Sequence, residues 1–114
     1  MTHQHHLGRV AVVTGAGSGI GRAVARLMLA EGYRVVLAGR REEPLLATGA
    51  GHAKALVFSC DVTRPDDVER LFAVTLEQWG RVDVLFNNAG VFGPEASVDE
   101  IGVEDWNATV AVNL

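Results

Sequence analysis

Apolar residues in this chain fall into short unbroken runs separated by longer stretches with helical spacing. Val10-Ala11-Val12-Val13 is β-rich and does not alternate, as expected of a strand covered on both faces in a parallel sheet. Arg34 to Ala38 predicts a second buried strand, Leu56-Val57-Phe58-Ser59 a third and Val82 to Phe86 a fourth. Between the first two, Ile20, Val24, Leu27 and Met28 recur at i, i+4, i+7 and i+8 while Arg22, Arg26 and Glu31 lie off the stripe, predicting an amphipathic helix that ends near Gly32. Glu42 to Thr48, with Pro44 in its first turn, predicts a short second helix stopped by Gly49. Thr63 and Asp66 have the spacing of a capping box, and Pro65 suits a first turn. The stripe Val68, Leu71, Phe72, Thr75, Leu76, Trp79 then carries a third helix to Gly80. Asn87 to about Glu100 reads as a loop, and Val103 starts a fourth helix.

Strands alternating with helices at this spacing predict an α/β fold, a doubly wound parallel sheet of Rossmann type with strand order 3-2-1-4. Crossovers leaving strands 1 and 4 in opposite directions open a crevice at their carboxyl ends, where ligands of such sheets bind. Two glycine-containing turns border it, Thr14 to Gly21 after strand 1 and Asn87-Asn88-Ala89-Gly90 after strand 4.

The first of these turns has the chemistry of a phosphate loop. Glycine turns sharply at positive φ and leaves main-chain N–H groups open to a pyrophosphate, and the following helix adds its free N–H groups and the positive end of its dipole. No Gly, four residues, Gly-Lys-Ser/Thr string occurs, which argues against a Walker-type NTPase. Gly15, Gly19 and Gly21 instead read T-G-x-x-x-G-x-G.

Composition narrows the possibilities. With 114 residues, 48% of them hydrophobic, the chain suits one globular unit, here residues 7–114, preceded by a solvated arm over residues 1–6. A net charge of −4 and a pI near 5.5 argue against a nucleic-acid partner. No stretch has the length of a membrane span and the first residues do not resemble a secretory signal, so a cytoplasmic protein is expected. Cys60, the sole cysteine, suits a reducing compartment and a buried structural role. His3, His5 and His6 lie in the arm, and no metal site is expected.

From about Leu7 to its last residue, the sequence closely resembles the short-chain dehydrogenase/reductase family of classical type. The likeness rests on the loop from Thr14 to Gly21, on Asp61-Val62 after the third strand, on Asn87 to Gly90, and on Asp105-Trp106 followed by Val112-Asn113-Leu114. It implies hydride transfer between a nicotinamide dinucleotide and a small-molecule alcohol or carbonyl. Under it, Gly15, Gly17, Ser18, Gly19, Ile20 and Gly21 hold the pyrophosphate and Asp61 with Val62 holds adenine. Asn88, Ala89 and Gly90 make room for or contact the cofactor, and Asn113 is the asparagine of the catalytic tetrad. Asp61 also suits a turn ahead of Thr63, and the two roles are compatible. At the end of strand 2, where an acidic residue would favour NAD, the chain has Gly39, Arg40 and Arg41, and guanidiniums suit a 2′-phosphate. NADP is therefore expected ahead of NAD, with a solvated Arg40-Arg41 pair beside Glu42 and Glu43 as the alternative.

The serine and the Tyr-x-x-x-Lys motif of the family are not found: the lone tyrosine, Tyr33, has no lysine four residues on, and Lys54 is the only lysine. The expectation is an N-terminal portion, cut at the fourth helix, that holds the cofactor and is inactive alone. The full-length protein would form a homo-oligomer. A noncatalytic nucleotide-binding module or an inert truncated product are the alternatives.

Overall fold

The structure, a computed structural model, describes residues 8–88. Its elements run β1 (Val10–Thr14), α1 (Gly19–Ala30), β2 (Arg34–Gly39), α2 (Glu42–Gly49), β3 (Ala55–Ser59), α3 (Pro65–Trp79) and β4 (Val84–Asn87). All pairings are parallel and the sheet order is β3-β2-β1-β4, the order expected from the alternation of strands and helices. The predicted fourth helix, Ala89, Gly90, Asn113 and the arm lie outside the described residues.

The unbroken apolar runs have a simple cause. One register row crosses all four strands through Leu56, Val36, Val12 and Leu85. On one face, Val12, Val36, Ala38 and Leu85 pack against Val68, Leu71 and Phe72 of α3. On the other, Ala11, Val13, Val35, Leu37 and Val84 pack against Ala25 and Leu29 of α1 and Leu45 of α2. Successive residues of a strand point to opposite faces, so a sheet covered by helices on both sides needs apolar residues at every position.

Four local expectations fail, three of them for identifiable reasons. In α1 the buried positions are Gly21, Ala25 and Leu29, whereas Ile20 and Leu27 are 67% and 62% exposed. Val24 and Met28 of the expected stripe sit at the edge of the core, partly buried. Small residues face the sheet because α1 lies close over the β1 turn, and periodicity weighted by side-chain size picks the neighbouring face. In α3 no side-chain cap forms at Arg64, the N-cap. Thr63 is already engaged: its N–H and its hydroxyl both donate to Asp61 Oδ1, at 2.9 and 2.6 Å. Leu76, placed on the α3 stripe, is 43% exposed. Finally, Gly49 is the last residue of α2 and not its stop. The left-handed cap is Ala50, at φ 45°, and a Cβ on Gly49 would press on Leu37 and Ala55 of the sheet at 3.1 and 3.3 Å. Gly49 is there for close packing.

β4 begins two residues later than expected and ends on Asn87. Ahead of it, the Asp83 N–H donates to the Val10 carbonyl and Asp83 Oδ2 accepts from the Val10 N–H, at 2.8 Å each, which locks β4 to the start of β1.

Candidate functional site

The carboxyl ends of the four strands bring the candidate residues to one edge of the sheet. β1 leads into the glycine turn, in which Gly15 and Gly19 have φ of 62° and 56°, a region that side chains with a Cβ avoid. The turn is tied to β2 by a bond from Ala16 N–H to the Ala38 carbonyl at 3.2 Å. α1 then starts directly over it. An added Cβ on Gly21 would stand 2.0 Å from the Gly15 carbonyl oxygen, so only glycine permits the helix to begin this close to the strand end.

The N-terminus of α1 is chemically bare. Ser18, its N-cap, makes no side-chain capping bond and the first turn contains no acidic residue. α2 and α3 also lack side-chain caps, but each opens with an acidic pair, Glu42 with Glu43 and Asp66 with Asp67, that complements its dipole. The first N–H groups of a helix have no partner within it. At α1 they face a turn built from Gly15, Gly17, Ser18 and Gly19, an arrangement suited to an anion.

β4 reaches the same corner. Thr14 pairs with Asn87 in the register, and the buried Thr14 hydroxyl donates to Asn87 Oδ1 at 3.0 Å. The next residue, Asn88, is exposed, and its amide nitrogen lies 3.4 Å from the Gly15 carbonyl oxygen. The expected convergence of the two turns is therefore present as far as Asn88.

Beside the glycine turn, between β2 and α2, Gly15, Gly17, Ser18, Gly39, Arg40, Arg41, Pro44 and Leu45 line an open hollow of about 240 Å³. That is below the usual range for a whole drug-sized ligand and suits one end of a longer molecule. Arg40 and Arg41 are exposed at its rim. Their backbone is held from β3: the Ser59 hydroxyl donates to the Arg40 carbonyl at 2.9 Å, and Cys60 N–H to the Gly39 carbonyl at 2.7 Å.

Asp61 follows β3 at the same edge. The two bonds from Thr63, hydroxyl first and N–H second, hold its carboxyl below the usual range against slight desolvation, and the charges of Arg40 and Arg64 reinforce them. Its own N–H donates to Asp67 Oδ2 at 2.7 Å. Asp61 is thus a turn residue whose carboxylate stays ionised, next to Val62, whose side chain packs on the core. Cys60 is buried, and burial, aided by the charges of Asp67 and Asp61, pushes its thiol up to about 11, the state of an inert structural cysteine.

Residues to which the sequence pattern gave no part in the site also build this corner. Arg22 donates to the Gly17 carbonyl at 2.7 Å and to the Thr48 hydroxyl at 3.0 Å. Thr48, 1% exposed, sits 2.7 Å from the Ala16 carbonyl oxygen. Arg26 donates to the carbonyls of Thr48 and Ala47 at the end of α2. No spacing signal marks these contacts, because they join side chains to backbone carbonyls of another element.

Comparison with known proteins agrees with the fold and the motifs. The family model for short chain dehydrogenases matches residues 9–114. The chain is 38% identical over 109 residues to short-chain dehydrogenase reductase 3b of Arabidopsis thaliana, a match covering 94% of this chain and 42% of that protein. It is 42% identical over 110 residues to a 3beta-hydroxysteroid dehydrogenase of Mediterraneibacter gnavus, covering 93% and 40%. Among solved structures, a hydroxysteroid dehydrogenase from Escherichia coli aligns with a TM-score of 0.68 at 25% identity, over 75% of this chain and 37% of that one. The chain thus spans about two-fifths of the length of these curated relatives. With a parallel 3-2-1-4 sheet, a glycine turn under a bare helix N-terminus and a family match over almost its whole length, this chain belongs to the short-chain dehydrogenase family of oxidoreductases.

Proposed function

We propose that this chain forms the adenosine- and pyrophosphate-holding part of an oxidoreductase that moves a hydride between a nicotinamide dinucleotide and an alcohol or carbonyl, with NADP preferred to NAD. The observation that carries the reading is the N-terminus of α1, uncapped and free of acidic residues above a turn of left-handed glycines. Gly15, Gly17, Ser18, Gly19, Ile20 and Gly21 take the pyrophosphate. Asp61 and Val62 take adenine, the ionised carboxylate accepting from its amino group. Asn88, Ala89 and Gly90 border the ribose and nicotinamide side, and Asn113 serves the catalytic centre.

Arg40 and Arg41 take the 2′-phosphate at the rim of the hollow, where no carboxylate lines the wall to repel it. Calorimetric titration with NADP and NAD tests this. NADP is expected to bind about tenfold more tightly, or ~1.4 kcal/mol, and Arg40→Asp to abolish the difference. Equal binding of the two, unchanged by the substitution, would refute the preference. Absence of binding by either would refute the site.

A further inference from the structure

Arg22 and Thr48 hold two consecutive carbonyls of the glycine turn from the same side. Arg22 Nη2 donates to the Gly17 carbonyl at 2.7 Å, and the Thr48 hydroxyl lies 2.7 Å from the Ala16 carbonyl oxygen. The two side chains are joined to each other by Arg22 Nε and Thr48 Oγ1 at 3.0 Å, and both reach the Pro44 carbonyl, at 3.4 and 3.0 Å. Contact continues at Gly17, where an added Cβ would meet Pro44 Cβ at 2.9 Å, so α2 abuts the turn directly.

In a trans peptide the N–H points opposite to the C=O. Pinning the Ala16 and Gly17 carbonyls toward α2 therefore turns the N–H groups of Gly17 and Ser18 away from it, with both peptide planes set before any ligand arrives. Donors fixed in advance cost little reorganisation on binding. Thr48 is buried and comes from an element whose other end carries the Arg41 N-cap, so the latch makes α2 a structural part of the phosphate corner.

We propose that Arg22 and Thr48 are positioning residues that preset the peptide planes of the glycine turn for the pyrophosphate of the dinucleotide. The inference rests on the dinucleotide reading above. It separates the pyrophosphate end of the ligand, which depends on the latch, from the adenosine 2′-phosphate end, which depends on Arg40 and Asp61.

The test uses the full chain and two probes, adenosine 2′-phosphate 5′-diphosphate and adenosine 2′-monophosphate, titrated into wild type, Thr48→Val and Arg22→Lys. Thr48→Val keeps the shape and removes the hydroxyl; Arg22→Lys keeps the charge and removes the fork. Each variant is expected to bind the 5′-diphosphate probe at least about tenfold more weakly and the monophosphate within about threefold of wild type, with less protection of the Gly17 and Ser18 amides from hydrogen exchange when the 5′-diphosphate probe is bound. Equal weakening of both probes, unchanged affinities, unchanged exchange at those amides or loss of the folded state in both variants would make the pair a packing strut and overturn the proposal. A wild type that binds neither probe would instead remove the dinucleotide reading itself.

Discussion

Replacing Gly21 by alanine is the sharpest test of how closely α1 and the β1 turn must approach. The new Cβ would lie 2.0 Å from the Gly15 carbonyl oxygen, 2.8 Å from the Gly15 carbonyl carbon and 2.9 Å from Asn88 Nδ2. Backbone, not a flexible side chain, is the main obstacle. The next residue cannot yield easily, since Ala16 is fastened to the Ala38 carbonyl through its N–H and to Thr48 through its own carbonyl. Overpacking of a core costs about 1–3 kcal/mol, and a pinned backbone puts this case near about 3 kcal/mol. Alanine returns up to about 1 kcal/mol of helix propensity, leaving a net loss of about 2 kcal/mol.

For a unit of this size each kcal/mol moves the melting temperature by about 4–8 °C, so a fall of about 8–16 °C is expected. Thermal unfolding followed by circular dichroism reads it, and calorimetric titration with NADP should show weaker binding because the turn must shift. Gly51→Ala is the control: its φ is 75° with nothing within 4 Å of an added Cβ, so it carries only the backbone penalty of about 1–2 kcal/mol and no loss of affinity. A Gly21→Ala protein that melts within about 2 °C of wild type and binds NADP equally would refute the close-approach reasoning.

Two further outcomes follow from ionisable groups. Burial opposes the charge on Asp83, but bonds from Arg81 and from the Val10 N–H, with the charges of Arg81 and Arg9, hold its carboxyl below the usual range. A depressed carboxyl stabilises the fold above its ordinary value of about 3.9 and loses that contribution as pH falls through its lower folded value. Urea unfolding should therefore show Asp83→Asn less stable by about 1–2 kcal/mol near neutral pH, with the gap narrowing below about pH 4; a gap independent of pH would exclude the carboxylate as its source. Cys60, its thiol at about 11, should react with an aromatic disulfide reagent near pH 8 at least about tenfold more slowly than in urea, whereas equal rates would show the site to be open.

The elements and their order were legible because their signals are local. Each strand is an apolar run that a sheet covered on both faces demands, and Gly80, in the left-handed conformation after α3, punctuates the chain where expected. Gly15 and Gly19, the turn glycines, were likewise visible, since only their residue type suits the backbone they adopt. Arg22, Thr48 and Ser59 were not, because each bonds to a carbonyl on another element, and a backbone carbonyl has no residue type to recognise. The phase of α1 escaped for a related reason. Gly21, Ala25 and Leu29 on one face and Ile20, Val24 and Leu27 on the next have similar helical spacing, and only the distance from α1 to the Gly15 carbonyl shows that the smaller set faces the sheet.

By itself, then, the sequence determined the strand–helix alternation, the 3-2-1-4 sheet, the glycine turn after β1 and the family likeness, all of which follow from residue type and spacing along the chain. Tertiary structure alone decided which face of α1 is buried and that Arg22 and Thr48 hold the glycine turn. These depend on distances between segments far apart in sequence, which a pattern of polar and apolar positions does not encode.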